Sequence, residues 1–164
     1  MTQKSLTAVY LRRGKEESLE RCHPWIFSGA IERITEGLKP LSEGDIVDVY
    51  TKQGNFIARG HYQIGSIAVR VLSFEEESID QAWWNRRIAA AKALRESLGM
   101  VDNAQTSCYR LIHGEGDLLP GLVVDIYERT AVVQCHSVGM YHSRSQIAEA
   151  IREAYGDSIE AIYD

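Results

Sequence analysis

The apolar pattern of this chain changes period once, and the change limits it to two differently built parts. Up to residue 73, apolar and β-branched residues come in short runs separated by Gly14, Gly44, Gly54 and Gly65. Short alternating runs between turn residues read as strands. Residues 6–12, 46–50, 56–62 and 66–73 are the predicted strands. Ser42-Glu43-Gly44-Asp45 and Lys52-Gln53-Gly54-Asn55 are turns by composition. Many short strands with little helix predict a small β-barrel for residues 1–73.

From Asp80 the spacing becomes helical. Apolar residues at 84, 88, 91, 94 and 98 place one stripe on a helix that Gly99 ends. The acidic run Glu75-Glu76-Glu77 before it reads as a solvated linker. A strand is predicted at 108–114. Leu122–Tyr127 and residues 130–136 form a hairpin around Glu128-Arg129, followed by a helix at 140–155 and a strand at 159–163. A final strand with nothing after it to cover its edge reads as a chain cut short.

The composition sets outer limits. Of 164 residues, 45% are hydrophobic and 25% charged, which suits a globular core. No run approaches the ~20 apolar residues of a membrane span, and Met1-Thr2-Gln3-Lys4-Ser5-Leu6 has no secretory pattern. Cys22, Cys108 and Cys135 are odd in number and far apart, so neither a disulfide framework nor a zinc site is expected. A cytoplasmic protein without a membrane partner or a metal fits these features. The net charge is −5, unlike the basic footprint usual for nucleic-acid binders. The charge is uneven, however: residues 1–70 carry ten Lys and Arg against eight Asp and Glu, and the rest carry eight against fifteen.

Two stretches offer chemistry. In the first, His23 and Trp25 lie near Arg12, Arg13 and Arg21, an arrangement able to stack a base and hold phosphates. Ile26 and Phe27 beside them read as core plugs, and for His23 and Trp25 a place in the core is as open as a binding role. Lys52, Arg59, His61 and Arg70 sit on or beside strands, either to track a nucleic-acid backbone or as solvated strand faces. The second stretch, 110–122, gathers Arg110, His113, Glu115, Asp117, Pro120 and Gly121. Its titratable groups suit acid–base work, and its glycines and proline equally suit a purely structural turn. No G-x-G-x-x-G unit, P-loop, H-E-x-x-H or G-x-S-x-G occurs. Cys135, flanked by apolar residues, reads as buried and inert.

Four segments in order are similar to a known pattern: His23-Pro24-Trp25-Ile26-Phe27-Ser28-Gly29-Ala30-Ile31; Glu43-Gly44-Asp45-Ile46-Val47-Asp48-Val49; Gly54 to Tyr62; and Ser66 to Ser73. They resemble the PUA-type domain that opens a family of bacterial large-subunit rRNA (cytosine-C5) methyltransferases. Residues 110–127 resemble a signature of that family's central domain. Gln63 stands where the family often has Asn. The resemblance implies an α+β chain with a PUA-like RNA-binding β-barrel at 1–76 and a small α/β connector domain at 77–164. A catalytic Rossmann-like domain carrying S-adenosylmethionine is expected outside these residues. No catalytic or cofactor residue is therefore expected here, the chain alone is expected to be inactive, and RNA, specifically rRNA, is the expected partner. Two alternatives stay open. One is a free-standing RNA-binding module. The other is a protein-interaction or homodimerising domain using Trp25, Trp83 and the two helices as an apolar surface.

Overall fold

The computed structural model describes residues 6–164, so the N-terminal stretch read as lacking a secretory signal lies largely outside the described residues. The chain divides into two compact units, the first ending at Glu77 and the second running Ser78–Asp164.

The first unit is one curled sheet of six strands: β1 (Thr7–Leu11), β2 (Trp25–Phe27), β3 (Ile31–Thr35), β4 (Ile46–Tyr50), β5 (Phe56–Tyr62) and β6 (Ile67–Ser73). Their order is β2-β6-β5-β4-β1-β3. The expected barrel is thus an open half-barrel with β2 and β3 at its two edges. Both edge strands escaped the sequence pattern. β2 has three residues, positioned by the Val71 N–H donating to the Pro24 carbonyl at 2.8 Å. In β3 every residue after Ile31 is exposed, so no apolar alternation marks it. A short α1 (Glu17–Glu20) contributes Leu19 to the core beside Val9, Leu11, Ile26, Val47, Val49, Ala58, Val69 and Val71. Phe27, expected in this core, is 49% exposed. Successive residues of a strand face opposite sides, so with Ile26 turned into the core Phe27 faces out.

Gly60 is fixed by a close approach. A Cβ there would lie 2.2 Å from the Arg70 carbonyl oxygen, at the bulge where β5 meets β6.

The second unit places helices against a four-stranded sheet. Helix α2 (Gln81–Ser97) is capped by the Asp80 carboxylate, which accepts the Trp83 N–H at 3.0 Å. At its other end Gly99, with φ +68, lets the Gly99 and Met100 N–H groups return to the Glu96 and Arg95 carbonyls. The sheet runs β10-β9-β8-β7, with β7 (Cys108–His113), β8 (Leu122–Tyr127), β9 (Thr130–Cys135) and β10 (Ala161–Tyr163). The last pair, β9 and β10, is parallel. The expected helix at 140–155 is two helices, α3 (Val138–His142) and α4 (Arg144–Tyr155). They part at Ser143, whose hydroxyl donates to the Gly139 carbonyl.

The buried face of α2 is Trp83, Trp84, Ile88, Ala91 and Arg95, whereas Leu94 and Leu98 are 49% and 64% exposed. The expected stripe through 94 and 98 is therefore rotated, with an arginine in its place. Trp83 is 1% exposed, which removes it from any apolar surface.

Gly60→Ala should destabilise the first unit by about 1–3 kcal/mol, since a backbone carbonyl has no rotamer with which to yield. Gly29→Ala, where nothing lies within 4 Å of the new Cβ, should be near neutral. Urea unfolding followed on the β5 and β6 amides distinguishes the two.

Candidate functional site

The β2 edge of the first unit carries two aromatic rings that reach the surface, Trp25 and Phe27. Trp25 and Phe27 lie two residues apart with rings edge-on at 6.3 Å. His23 meets Trp25 edge-on at 5.8 Å, and its Nδ1 accepts the Trp25 N–H at 3.2 Å. Trp25 is half-buried and His23 exposed. Between this edge and α1 lies a cavity of about 350 Å³ lined by Lys15, Ser18, Leu19, Trp25, Ile26, Phe27, Gly29 and Ala30. Arg12 reaches the same corner: its backbone N–H donates to the Ala30 carbonyl and its Nε to the Ile31 carbonyl. Arg12, Arg13 and Arg21 are exposed. Arg70 on β6 pairs with Trp25 in the β-ladder and donates to Gln63 Oε1 at 2.7 Å. The structure thus adds Lys15 and Phe27 to the sequence-derived set. Lys15 carries no motif in the sequence, and Phe27 was hidden by its apolar type.

Two candidates are not on the surface. Arg59 is 4% and His61 3% exposed, so neither reading given to them, backbone contact or solvated face, applies. Arg59 makes a bidentate pair with Asp48, at 2.6 and 3.0 Å, and also donates to the Glu77 carbonyl. Glu77 in turn accepts the Ser73 hydroxyl at 2.7 Å, so this last residue of the acidic run is structural while Glu75 and Glu76 are exposed. Lys52 sits apart from the Trp25 corner, paired with Glu32 of β3 at 2.9 Å.

In the second unit, the loop after β7 is fastened to α2. Both Asp117 oxygens face Arg95, at 2.5 and 2.8 Å, and Oδ2 also accepts the His113 backbone N–H at 2.6 Å. Arg95 Nε donates to the Arg110 carbonyl, and Arg87 to the Asp117 carbonyl. Burial alone would push the Asp117 carboxyl up. The Arg95 and His113 hydrogen bonds outweigh it and keep the group below the usual carboxylate range. Leu118 adopts φ +55, a strained conformation for leucine. Pro120 is buried, and Gly121 with φ +89 completes the turn into β8. Arg110 pairs with Asp125 at 2.8 Å on the open face of the sheet, where its Nη1 lies 3.4 Å from His113 Nδ1. Glu115 is exposed. The loop's charged groups are thus spread between the helix side and the open face, with Asp117 fully engaged. Cys135 is half-buried and burial pushes its thiol up, as expected of an inert cysteine. Among the described residues no cluster of three or more His, Cys, Asp or Glu side chains is arranged for a metal, and no helix is long and apolar enough to cross a membrane.

Residues 9–74 match the family model of a PUA-like domain. That span takes in β2 to β6 whole, β1 from Val9 onward, and the whole Trp25 edge. The chain as a whole is similar to proteins named ribosomal RNA large subunit methyltransferase I. The protein from Photobacterium profundum is 42% identical over 91% of this chain, and the one from Erwinia tasmaniensis 40% identical over 95%. The chain spans 37–38% of the length of these relatives. Among solved structures, a protein of Streptococcus mutans provisionally assigned as a SAM-dependent methyltransferase superposes with a TM-score of 0.77. The superposition covers 94% of this chain and 40% of that one, at 19% identity, which shows a shared fold. These matches cover 91–95% of this chain, so they reach beyond residues 9–74 into the second unit.

Asp117→Asn should cost the second unit about 3 kcal/mol at neutral pH, because it leaves Arg95 buried without its counter-charge. The pH dependence follows from a carboxyl held lower when folded. Its stabilisation is present above the unfolded value near 3.9 and fades as pH falls through the folded one. In a Trp25→Phe background, Trp83 and Trp84 fluorescence reports this unit alone. Urea midpoints should fall as pH drops below about 4 in that background, and this component should vanish with Asp117→Asn.

Proposed function

We propose that this chain is the RNA-recognition portion of a SAM-dependent methyltransferase that acts on cytosine C5 of large-subunit rRNA. The observation that carries the reading is the half-exposed Trp25 and Phe27 edge, with Lys15 lining the same cavity and Arg12 bonded to the adjoining Ala30 and Ile31 carbonyls, within the span that matches a PUA-like domain. The 40–42% identity to rRNA methyltransferases across nearly all of the chain supports it.

The chemistry divides naturally. Exposed guanidinium and ammonium groups neutralise phosphate and fix the register of the RNA. Trp25 and Phe27 offer ring faces to an unstacked base, and His23 braces Trp25 through its backbone. A base carbon reacts only once the base leaves its stack. A domain gripping flanking RNA raises the effective concentration of the target at a linked catalytic centre.

The second unit does not fit a methyl-donor site. Its glycine-bearing turn Gly114–Asp117 follows a strand but leads into antiparallel β8, not into a helix whose N-terminus could receive a nucleotide-like cofactor. The Asp117 carboxylate is consumed by Arg95. No step of methyl transfer is therefore assigned to these residues, and the chain alone is inactive in this reading.

Fluorescence anisotropy with a labelled large-subunit rRNA hairpin tests the proposal. Binding should weaken steeply with salt, and Trp25→Ala should weaken it about tenfold. Equal binding by Trp25→Ala, or affinity indifferent to salt, contradicts it. Labelled S-adenosylmethionine should neither bind nor donate a methyl group to the RNA.

A further inference from the structure

Across the other half of the six-stranded sheet, four side chains line up in register. Arg33 on β3 lies opposite Tyr10 on β1, Tyr10 opposite Tyr50 on β4, and Tyr50 opposite Phe56 on β5. The Arg33 guanidinium sits 3.5 Å over the Tyr10 ring. Tyr10 and Tyr50 stack at 5.4 Å with 25° between planes, and Phe56 meets Tyr50 edge-on at 5.9 Å. The ladder occupies the face opposite to Val9, Val47 and Val49, which fill the core. Its rings are half-buried and Arg33 is exposed.

Cross-strand ring pairs stabilise a sheet. That accounts for the rings touching one another, and leaves their open edges and the arginine plane as accessible π-surface. Unpaired bases stack on such aromatic and guanidinium planes. The charge around the ladder narrows the occupant. Lys52 is tied to Glu32, and Asp48 and Glu76 both act on the Tyr50 hydroxyl, leaving Arg33 as the main cation. A duplex, which binds by neutralising many phosphates, is disfavoured there. A single strand needs a free plane, here the outer side of the exposed Arg33 guanidinium held over Tyr10, and one phosphate contact. Arg33 gives one N–H to Thr35 Oγ1 and has further donors for that phosphate. Burial and the nearby carboxylates push the Tyr50 hydroxyl up, so it remains a donor to a base edge.

We propose that the Arg33, Tyr10, Tyr50 and Phe56 ladder is a second RNA contact, seating an unpaired base on the Arg33 plane and against the Tyr50 edge while a free Arg33 N–H holds the adjoining phosphate. The inference rests on the reading that this domain binds RNA, and it extends that contact to a second part of the sheet, separate from the Trp25 edge.

The test uses the 164-residue chain and a fluorescein-labelled rRNA hairpin with a single-stranded tail, beside the same hairpin without the tail. Tyr50→Leu keeps apolar volume and loses the ring. It should weaken binding of the tailed RNA about tenfold, with the salt slope unchanged, and leave the tail-less hairpin unaffected. Tyr50→Phe should stay within about twofold of wild type, since it retains the ring. Should Tyr50→Leu fail to give a folded amide spectrum, Arg33→Gln on the exposed edge replaces it. That variant should bind the tailed RNA about threefold more weakly, with a salt slope lower by about one. If the ladder variants match wild type while Trp25→Ala still weakens binding, the ladder is no contact and the RNA reading stands. If the wild type binds neither RNA, both fall.

Discussion

The first unit depends on a buried guanidinium. Arg59 spends its donors on Asp48 of the neighbouring strand and on the Glu77 carbonyl, so one side chain joins β4, β5 and the residue at which the unit ends. Taking two charges out of water is costly, and only a bidentate geometry with the remaining donors satisfied offsets that cost. The arrangement therefore specifies register: sliding β5 by one residue would leave both charges buried and unmatched. The second unit uses the same device, with Arg95 of α2 clasping Asp117 and the Arg110 carbonyl. In each unit the arginine links segments that are distant in sequence.

This use of arginine limits what remains for a ligand. With Arg59 interior, the cations placed at the Trp25 edge are Arg12 and Lys15, with Arg13 and Arg21 exposed nearby in sequence, on a chain whose net charge is −5. Such a surface supports modest, salt-sensitive affinity, suited to a domain that orients RNA for a linked centre. The second unit's open face shows Arg110 neutralised by Asp125, which leaves little free positive charge there.

Much of the fold was legible in the chain. The strands β4, β5, β6, β8 and β9 carry β-branched runs between turn residues, and α2 has a clear cap at Asp80 and a stop at Gly99. The sheet edges were not legible: β2 is only three residues long and β3 is nearly all exposed, so neither shows the two-residue period. Residue type misled at four residues. Leu94 points to solvent because Arg95 takes the inward position with its carboxylate partner, and Phe27 faces out beside the inward Ile26. Arg59 and His61 look like surface residues and are interior. In the site, Trp25, His23 and the flanking arginines were readable as an aromatic and basic cluster. Lys15 joined them only through the fold, because nothing local marks a lysine that lines a cavity.

Amide chemical-shift mapping of the 164-residue chain with a large-subunit rRNA hairpin tests the central claim most directly. With the tail-less form of that hairpin the largest changes are expected at residues 12–30 and around Arg70, with the amides of Arg59 and Asp48 little moved and the second unit largely silent. Shifts concentrated in residues 78–164, or no saturable shifts at low salt, would contradict it.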